Sequence, residues 1–535
     1  MRKGGACLSR ATHMNQPNLL IIGAGAAGLS AGCYAQMNGF RSRIFEMHTI
    51  PGGLCTSWRR EGYLFDGAVR YLIGTGEHTR GYPMWRELGV LPGRGTHYYD
   101  EFICYAGRDG REVHFYTNPD KLEAHLLELS PEDEDPIREF TQALRELGNF
   151  DLPLDLSPDD AAEGLHFGRI MLGHAVPMLR WLNVTVRHFA QRFRDPLLRE
   201  ALPGFFQCTP PDFPMLMLLM TLAPMGTRSS GYPLGGSLML AEAMARRYKE
   251  LGGEIEYGAR VSEILVENNA AVGVRLADGS EHRADVVISA ADGRATIFEL
   301  LGGRYADDEI RRRYDPFFSG ITNLACADEI RRRYDGLPVA ESIVQVSIGV
   351  KRDLSALPPM LDFPLDAPID MGGALHRRLV LKHYCFDPAM ADPGKSALTV
   401  WAEANFDHWK CLRKDEARYA AEKDRIGQEV VAALDRRFPG LAADVEVVDV
   451  ATPTTYERYT GNWRGSIHGW ALGMKKMQFM MRMGMSKTLP GLHNFYMIGQ
   501  WVEPAGNVQL SAASGRDVIE MICRQHNEDF KGVSR

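Results

Sequence analysis

The 535-residue sequence lacks the motifs of metal-dependent and nucleophilic hydrolases. It contains no H-E-x-x-H, G-x-S-x-G or P-loop pattern, and its sixteen histidines do not cluster at ligand spacing. Its nine cysteines are scattered without a C-x-x-C pair. That usage is typical of a reducing compartment and argues against a disulfide framework. We therefore expect a protein with no resident metal ion.

The chain also has no excess of positive charge and no run long enough to span a bilayer. The net charge of −7 argues against a nucleic-acid partner. The longest apolar run, Pro214 to Met225, predicts a buried helix; a segment dipping into a membrane or lining an apolar tunnel is the alternative. Residues 1–15 lack the apolar region of a secretory signal, and we expect them to be disordered. These features predict a cytoplasmic protein with possible peripheral membrane contact.

Residues 18–46 have the order strand, glycine turn, helix, strand and acidic residue. Gly23, Gly25 and Gly28 form a G-x-G-x-x-G motif after an apolar strand. Gly23 is predicted to make the tight turn, Gly25 to admit a pyrophosphate, and Gly28 to let the helix pack on the sheet. Ala27 lies in the first turn of that helix, whose N–H groups would face the phosphates. The order of these elements predicts a dinucleotide site.

Glu46 ends the second strand of this unit. A carboxylate there can accept both hydroxyls of an adenosine ribose and would repel a 2′-phosphate, so NADP is disfavoured. Gly52 and Gly53 follow at once and would bring further N–H groups near a phosphate. A plain NAD domain needs no such pair, so we predict FAD. Arg59 and Arg60 could pair with phosphate or substrate, or could be solvated surface charges.

With these motifs, the sequence resembles the phytoene desaturase-like flavoproteins. That family includes carotenoid desaturases, carotenoid isomerases and retinol saturases, within the larger amine-oxidase-like group. The resemblance rests on four segments spread along nearly the whole chain: residues 18–67, 231–251, 253–292 and 494–516. It implies that the backbone near Val261 receives the adenine. It also implies that Gly499, Asn507 and Val508, at a helix N-terminus, face the flavin end of the cofactor.

The length of the chain predicts more than one domain. The resemblance implies an α/β fold, with a Rossmann-like FAD-binding domain of the glutathione-reductase type and an inserted α+β substrate domain. The FAD-binding domain would be discontinuous, comprising residues 16–75, 226–300 and 490–526. The substrate domain would comprise residues 76–225 and 301–489.

Two further patterns lie in the insertions. The octapeptide DEIRRRYD occurs at residues 308–315 and again at 328–335, which we interpret as a local duplication without a new function. The 24 methionines include two clusters, Met215, Met217, Met220 and Met225, and Met474, Met477, Met480, Met481, Met483 and Met485. Methionine fills irregular cores, and it also suits the lining of a cavity for a long apolar substrate. The resemblance favours the cavity.

Together these features predict an FAD-dependent oxidoreductase acting on a carbon–carbon bond of an isoprenoid or lipid, by desaturation, saturation or isomerisation. The electron partner could be a quinone, oxygen or NAD(P)H. Candidate site residues are Arg59, Arg60, Arg70, Tyr71 and Asp66, the last of which could equally be a turn residue.

Two alternatives stay open at the level of sequence. One is an amine or amino-acid oxidase. The other is a non-catalytic flavin-binding scaffold, because the chain departs from its relatives at three positions. Leu54 stands where relatives often carry Arg, Gln500 where many carry Asp, and Arg70 where one branch carries His. Glu503 could compensate for Gln500.

Overall fold

The computed structural model describes residues 16–148, 178–206, 213–305, 342–469, 486–503 and 507–532. The predictions made for residues 1–15, for the repeat at 308–335 and for the methionine cluster at 474–485 lie outside these ranges.

Strands and α-helices are interspersed along the whole of the described chain. The strands are β1 (Asn18–Ile22), β2 (Arg41–Glu46), β3 (Ser57–Arg60), β4 (Tyr63–Asp66), β5 (Leu72–Ile73), β6 (Thr96–His97), β7 (Glu101–Ala106), β8 (Glu112–Tyr116), β9 (Ser230–Pro233), β10 (Glu254–Tyr257), β11 (Val261–Glu267), β12 (Ala270–Leu276), β13 (Glu281–Arg283), β14 (Val286–Ser289), β15 (Ser342–Val350), β16 (Met360–Asp370), β17 (Leu375–His383), β18 (Ser396–Ala404), β19 (Val445–Ala451) and β20 (Phe495–Met497). The α-helices are α1 (Ala26–Met37), α2 (Gly81–Glu87), α3 (Pro119–Leu129), α4 (Glu134–Gly148), α5 (Val186–Ala190), α6 (Pro196–Gly204), α7 (Met215–Gly226), α8 (Ser237–Glu250), α9 (Phe406–Leu412), α10 (Glu416–Arg437), α11 (Pro453–Thr460) and α12 (Val508–Gln525).

A parallel five-stranded sheet with the order β10-β2-β1-β14-β20 joins three distant parts of the chain. Its central strands are apolar and buried, as expected for a parallel sheet covered on both faces. Helices α1 and α12 pack so closely that a Cβ atom at Gly515 would lie 2.3 Å from the carbonyl oxygen of Ala27. The predicted α/β, Rossmann-like unit is therefore confirmed. The exact domain boundaries stay a prediction.

A second sheet has the order β19-β15-β18-β17-β16-β7-β8. All its pairs are antiparallel except that between β16 and β7. The apolar runs at residues 343–350, 379–381 and 398–402 lie in β15, β17 and β18. Helix α10 packs on one face of this sheet through an apolar side that includes Ile426, Val430 and Leu434. The other face turns toward β4 and the aromatic core described below.

The longest apolar run of the sequence forms helix α7. Met215 and Met225 are buried in a core shared with α4, α5 and α6, whereas Met217 and Met220 are half-buried. The run forms a buried helix, as predicted, because it is covered by neighbouring helices. Among the described residues, no helix is both long and apolar enough to cross a membrane.

Candidate active site

Each glycine of the first turn has its own geometric requirement. Gly23 has φ +97°, a conformation that other residues rarely adopt. A Cβ atom at Gly28 would lie 2.0 Å from the carbonyl oxygen of Gly23, so only glycine allows α1 to approach the turn. A Cβ atom at Gly25 would meet nothing closer than the oxygen of Gly52, at 3.9 Å. The space above Gly25 is thus open to a ligand that approaches the backbone.

The second glycine pair docks onto the first turn. Gly52 and Gly53 have φ of +116° and +58°. The N–H of Gly52 donates to the carbonyl oxygen of Ala24 at 2.8 Å, and Gly25 and Gly52 form a parallel β-bridge. The two turns therefore make one side-chain-free surface beside the N-terminus of α1. We call this surface, formed by Gly23, Gly25, Gly52 and Gly53, the glycine cradle.

Glu46 is fixed beside the glycine cradle. Its carboxylate accepts hydrogen bonds from the N–H groups of Ala24, at 2.6 Å, and His48, at 2.8 Å. Burial raises the pKa of Glu46, and these two N–H groups act in the opposite direction. Each carboxylate oxygen retains a lone pair that can accept a ribose hydroxyl.

Val261 is brought close to Glu46 by the segment that precedes it. The N–H of Ala259 donates to the carbonyl oxygen of Glu46 at 2.9 Å, and that of Gly258 donates to His48 at 3.0 Å. Val261 then begins β11 and is buried. The segment predicted from the resemblance to receive an adenine therefore lies next to the residue predicted to hold its ribose.

The C-terminal segment closes the cradle from the other side. Gly499 has φ +93°, and a Cβ atom there would lie 3.4 Å from the Cβ atom of Ala27. Asn507 caps α12 by accepting from the N–H of Leu510 at 2.7 Å, and Val508 is the first residue of that helix. Glu503 is buried and pairs with Lys487 Nζ at 3.0 Å. The predicted residues from all three parts of the chain thus surround one place.

This arrangement fits FAD. The open space over Gly25 admits a pyrophosphate, and the N-terminus of α1 favours its negative charge. Glu46 is oriented by two N–H groups toward the same space, which suits a ribose without a 2′-phosphate. We propose that the glycine cradle holds the pyrophosphate, Glu46 the ribose and the Val261 backbone the adenine. Gly499, Asn507 and Val508 would then lie toward the flavin.

The structure does not bring Arg59 or Arg60 to this place. Both side chains are exposed at the end of the two-stranded β3–β4 hairpin. Arg59 approaches the carbonyl oxygen of Gly62 at 3.5 Å, and Arg60 pairs with Asp449 at 3.4 Å. These contacts match the solvated alternative, so neither residue is retained as a site candidate.

Asp66, at the end of β4, is a fully buried carboxylate. It accepts hydrogen bonds from the Tyr232 hydroxyl at 2.5 Å, from the Ser237 N–H at 3.2 Å and from the Ala68 N–H at 3.2 Å. Burial raises the pKa of Asp66, whereas the nearby Lys382 and these three donors lower it. Asp66 is thus both a turn residue and part of a buried polar cluster.

Lys382 is a buried cation near Asp66 that sequence reasoning missed. Its Nζ donates to the carbonyl oxygen of Val69 at 3.3 Å and lies 4.4 Å from the ring centroid of Tyr384. Burial lowers the pKa of Lys382 to about 7, while Asp66 acts in the opposite direction. The sequence signal that could have revealed it is a lysine directly after the apolar run Leu379-Val380-Leu381 and before His383.

Arg70 and Tyr71 lie at the edge of this cluster. The Arg70 guanidinium is 4.8 Å from the ring centroid of Trp401, and the Tyr71 hydroxyl lies 3.1 Å from Thr221 Oγ1. Burial and, to a smaller extent, the charge of Arg70 lower the pKa of His468 to about 4.

Helix α8 links the glycine cradle to the Asp66–Lys382 cluster. A Cβ atom at Gly52 would lie 3.0 Å from the Cβ atom of Ala241. One turn earlier in the same helix, Ser237 Oγ accepts from the Val69 N–H at 2.8 Å, and the Ser237 N–H donates to Asp66. Four helical residues span about 6 Å. FAD bound on the cradle would therefore lie near the cluster.

A separate group of potential metal ligands lies on the β7–β8 hairpin. Ligand atoms of Glu101, Cys104 and His114 all lie within 4.8 Å of one another. The Glu101 carboxylate and His114 Nδ1 are hydrogen-bonded at 2.7 Å, and Glu112 pairs with Arg437 at 3.2 Å. These groups satisfy one another, so we assign no ion to them. The absence of a resident metal stays a prediction.

The fold and the site define a dinucleotide-binding oxidoreductase with a two-turn glycine cradle. The sequence profile of the family described as "Flavin containing amine oxidoreductase" matches residues 26–516, and the chain belongs to this family. It is accordingly an FAD-dependent oxidoreductase.

Named relatives and a solved structure agree with this assignment. The chain is 24% identical to prolycopene isomerase of Daucus carota, over 93% of this chain and 78% of that one. It is 24% identical to 4,4'-diapophytoene desaturase of Methylomonas sp, over 97% and 98% of the two chains. The fold is similar to that of an oxidoreductase from Methanosarcina mazei, with a TM-score of 0.59 and 17% identity, over 94% of this chain and 100% of that one.

Two glycine substitutions distinguish a glycine needed for cofactor binding from one needed for packing. Gly25→Ala places a methyl group in open space, so we expect the apoprotein to melt within a few degrees of wild type but to lose FAD. Gly28→Ala drives a methyl group into the oxygen of Gly23, so we expect it to destabilise the protein itself. Thermal melting of the apoproteins and FAD titration by fluorescence measure both. Wild-type FAD affinity in Gly25→Ala would show that the pyrophosphate does not lie over this turn.

Glu46→Ala tests the ribose contact. Loss of hydrogen bonds to a charged acceptor costs about 1–3 kcal/mol. We therefore expect the Kd for FAD to rise about 5- to 150-fold. Glu254→Ala, which removes an exposed carboxylate from the adjacent strand β10, is the matched control and should leave the Kd unchanged. Isothermal titration of both apoproteins gives the values, and equal affinities in the two variants would place the ribose elsewhere.

Proposed function

We propose that this flavoprotein acts on a carbon–carbon bond of an apolar isoprenoid-like substrate, by desaturation, saturation or isomerisation. The observation that carries the proposal is the position of the Asp66–Lys382 cluster, one turn of α8 from the glycine cradle. Bound FAD supplies a group that accepts or donates two electrons. The relatives named as a carotenoid isomerase and a carotenoid desaturase support this choice of substrate.

The walls around the cluster suit an uncharged polyene. An aromatic group next to Lys382 packs together through tilted and edge-to-face contacts between Tyr99, Phe102, Tyr232, Tyr384 and Phe386. These rings belong to the apolar core that includes α7 or pack against it. Such walls exclude water and bind apolar chains.

An amine substrate is less well matched by the charges. A protonated amine would meet the Arg70 guanidinium and the Lys382 amine, and Asp66 already accepts three hydrogen bonds. Arg70 is the observation that favours an amino acid, since a guanidinium can bind a carboxylate. An amino-acid oxidase is therefore the second candidate. A non-catalytic scaffold is the third, carried by Leu54, Gln500 and Arg70.

The residues of the chain would bind the cofactor, orient the substrate and hold a proton. The glycine cradle and Glu46 hold the cofactor, and the aromatic walls orient the substrate. Asp66, Tyr232 and Lys382 form the group that can hold a proton beside the reacting carbon atoms. We also propose peripheral contact with a membrane, where apolar substrates dissolve, and an electron partner that is a quinone, oxygen or NAD(P)H.

A substrate panel tests the proposal. Purified protein containing FAD is mixed anaerobically with phytoene, 4,4'-diapophytoene, prolycopene, retinol, oleic acid, putrescine or leucine. From a polyene we expect one of three results. Desaturation bleaches the flavin absorbance and gives a product two mass units lighter, and isomerisation gives a product of unchanged mass without a net change in the flavin absorbance. Saturation, tested with flavin reduced beforehand, restores the flavin absorbance and gives a product two mass units heavier. Reoxidation by oxygen or a quinone, and reduction by NADPH, identify the electron partner. Reaction with putrescine or leucine alone would contradict the proposal, and no reaction with any member would favour the scaffold.

A further inference from the structure

We propose that Lys382 is the residue that exchanges a proton with the substrate. This proposal rests on the proposed function and specifies the acid–base group of that same site. In the desaturation direction, the neutral Lys382 amine would remove a proton from the carbon next to the one that loses a hydride. The ligand class is an acyclic chain with adjacent C–H bonds activated by neighbouring double bonds.

The strand β17 places Lys382 on the side of the sheet that faces the cluster. Leu381, the preceding residue, points into the apolar core under α10. Because successive side chains alternate across a strand, Lys382 points to the opposite face, toward Val69 and Tyr232. Val69 is itself held by Ser237 at the start of α8, the helix that also contacts Gly52. Lys382 is thereby connected to the glycine cradle through Val69 and α8.

The groups in and around the Asp66–Lys382 cluster come from separate parts of the chain. Asp66 lies at the end of β4, Arg70 precedes β5, Tyr99 precedes β7, Tyr232 lies in β9 and Tyr384 follows β17. Asp387, the next carboxylate along the chain, accepts from the N–H of Gly235 at 2.7 Å and also faces Tyr232. Asp66 favours the charged lysine, whereas Arg70 and burial favour the neutral amine. These opposing effects bring the pKa of Lys382 to about 7.

A lysine with a pKa near 7 can accept and release a proton at physiological pH. The ring centroids of Tyr384 and Tyr232 lie 4.4 and 5.8 Å from Lys382 Nζ. Their rings can therefore stabilise the ammonium once it forms. Asp66 is a poorer base, because its carboxylate already accepts from Tyr232, Ser237 and Ala68. We assign Asp66 a positioning role: its charge sets the proton affinity of Lys382.

The step balances with FAD as the two-electron oxidant. One C–H bond of the substrate breaks with both electrons, and the hydrogen leaves as hydride to the oxidant. The adjacent C–H bond then loses its proton to Lys382 Nζ, and its electron pair becomes the new carbon–carbon π bond. The amine becomes an ammonium, and the proton later passes to solvent. In saturation the same proton moves from Lys382 to carbon.

The first test measures the lysine itself. Protein labelled with [13Cε]lysine and containing FAD is titrated by NMR between pH 5 and 11. We expect one resonance with a midpoint near 7 that is absent from Lys382→Met and present in Lys410→Met, an exposed lysine on α9. In Asp66→Asn the midpoint should move to lower pH, because the carboxylate that favours the ammonium is lost. Titration of every lysine above pH 9 would overturn the proposal.

The second test measures flavin reduction by the polyene from the panel that reduces the wild type. Lys382→Met should still bind FAD, as measured by its absorbance. The rate at which the substrate reduces the flavin should fall at least about 100-fold, because general base catalysis typically contributes that much. The wild-type rate should rise with pH through a midpoint near 7, and Lys410→Met should keep the wild-type profile. An unchanged rate and pH profile in Lys382→Met would overturn the role of Lys382 alone. If no polyene reduces the flavin of the wild type, the proposed desaturation is overturned as well.

Discussion

The backbone N–H and carbonyl groups of Ala24 join the parts of the cofactor site, and the rest of the arrangement depends on them. The N–H donates to Glu46, the residue placed to hold a ribose, and the carbonyl oxygen accepts from Gly52 in the second turn. Both bonds lie in the buried interior, where an unpaired backbone group would be costly. These two hydrogen bonds therefore fix Glu46 and the glycine cradle relative to each other.

The buried charges near β17 are a second constraint, and they oppose stability. Burying a lysine and a carboxylate disfavours both ions unless they are paired and hydrogen-bonded. The protein supplies Tyr232, Ser237 and Ala68 to Asp66, and aromatic rings and one carbonyl oxygen to Lys382. A cluster of this kind, adjacent to the glycine cradle, is better explained by chemistry than by folding.

The sequence predicted best where one residue type is required by local geometry. Gly23 needs a positive φ and Gly28 allows a contact that any side chain would block, so the first unit could be interpreted without a structure. The place of Val261 followed only from the resemblance, because its contact with Glu46 joins distant segments. For Arg59 and Arg60 the sequence left two interpretations open, because local sequence does not show which end of a hairpin meets solvent. Lys382 was missed because Asp66 and Val69 approach it only through the tertiary fold.

The central claim is that FAD lies on the glycine cradle and extends along α8 toward Lys382. A crystal structure of the protein with bound FAD tests this most directly. The account predicts the pyrophosphate over Gly25, the adenosine ribose at Glu46, and the isoalloxazine ring within contact distance of Val69 and Lys382. An isoalloxazine ring bound away from Lys382, or a pyrophosphate bound away from Gly25, would contradict it.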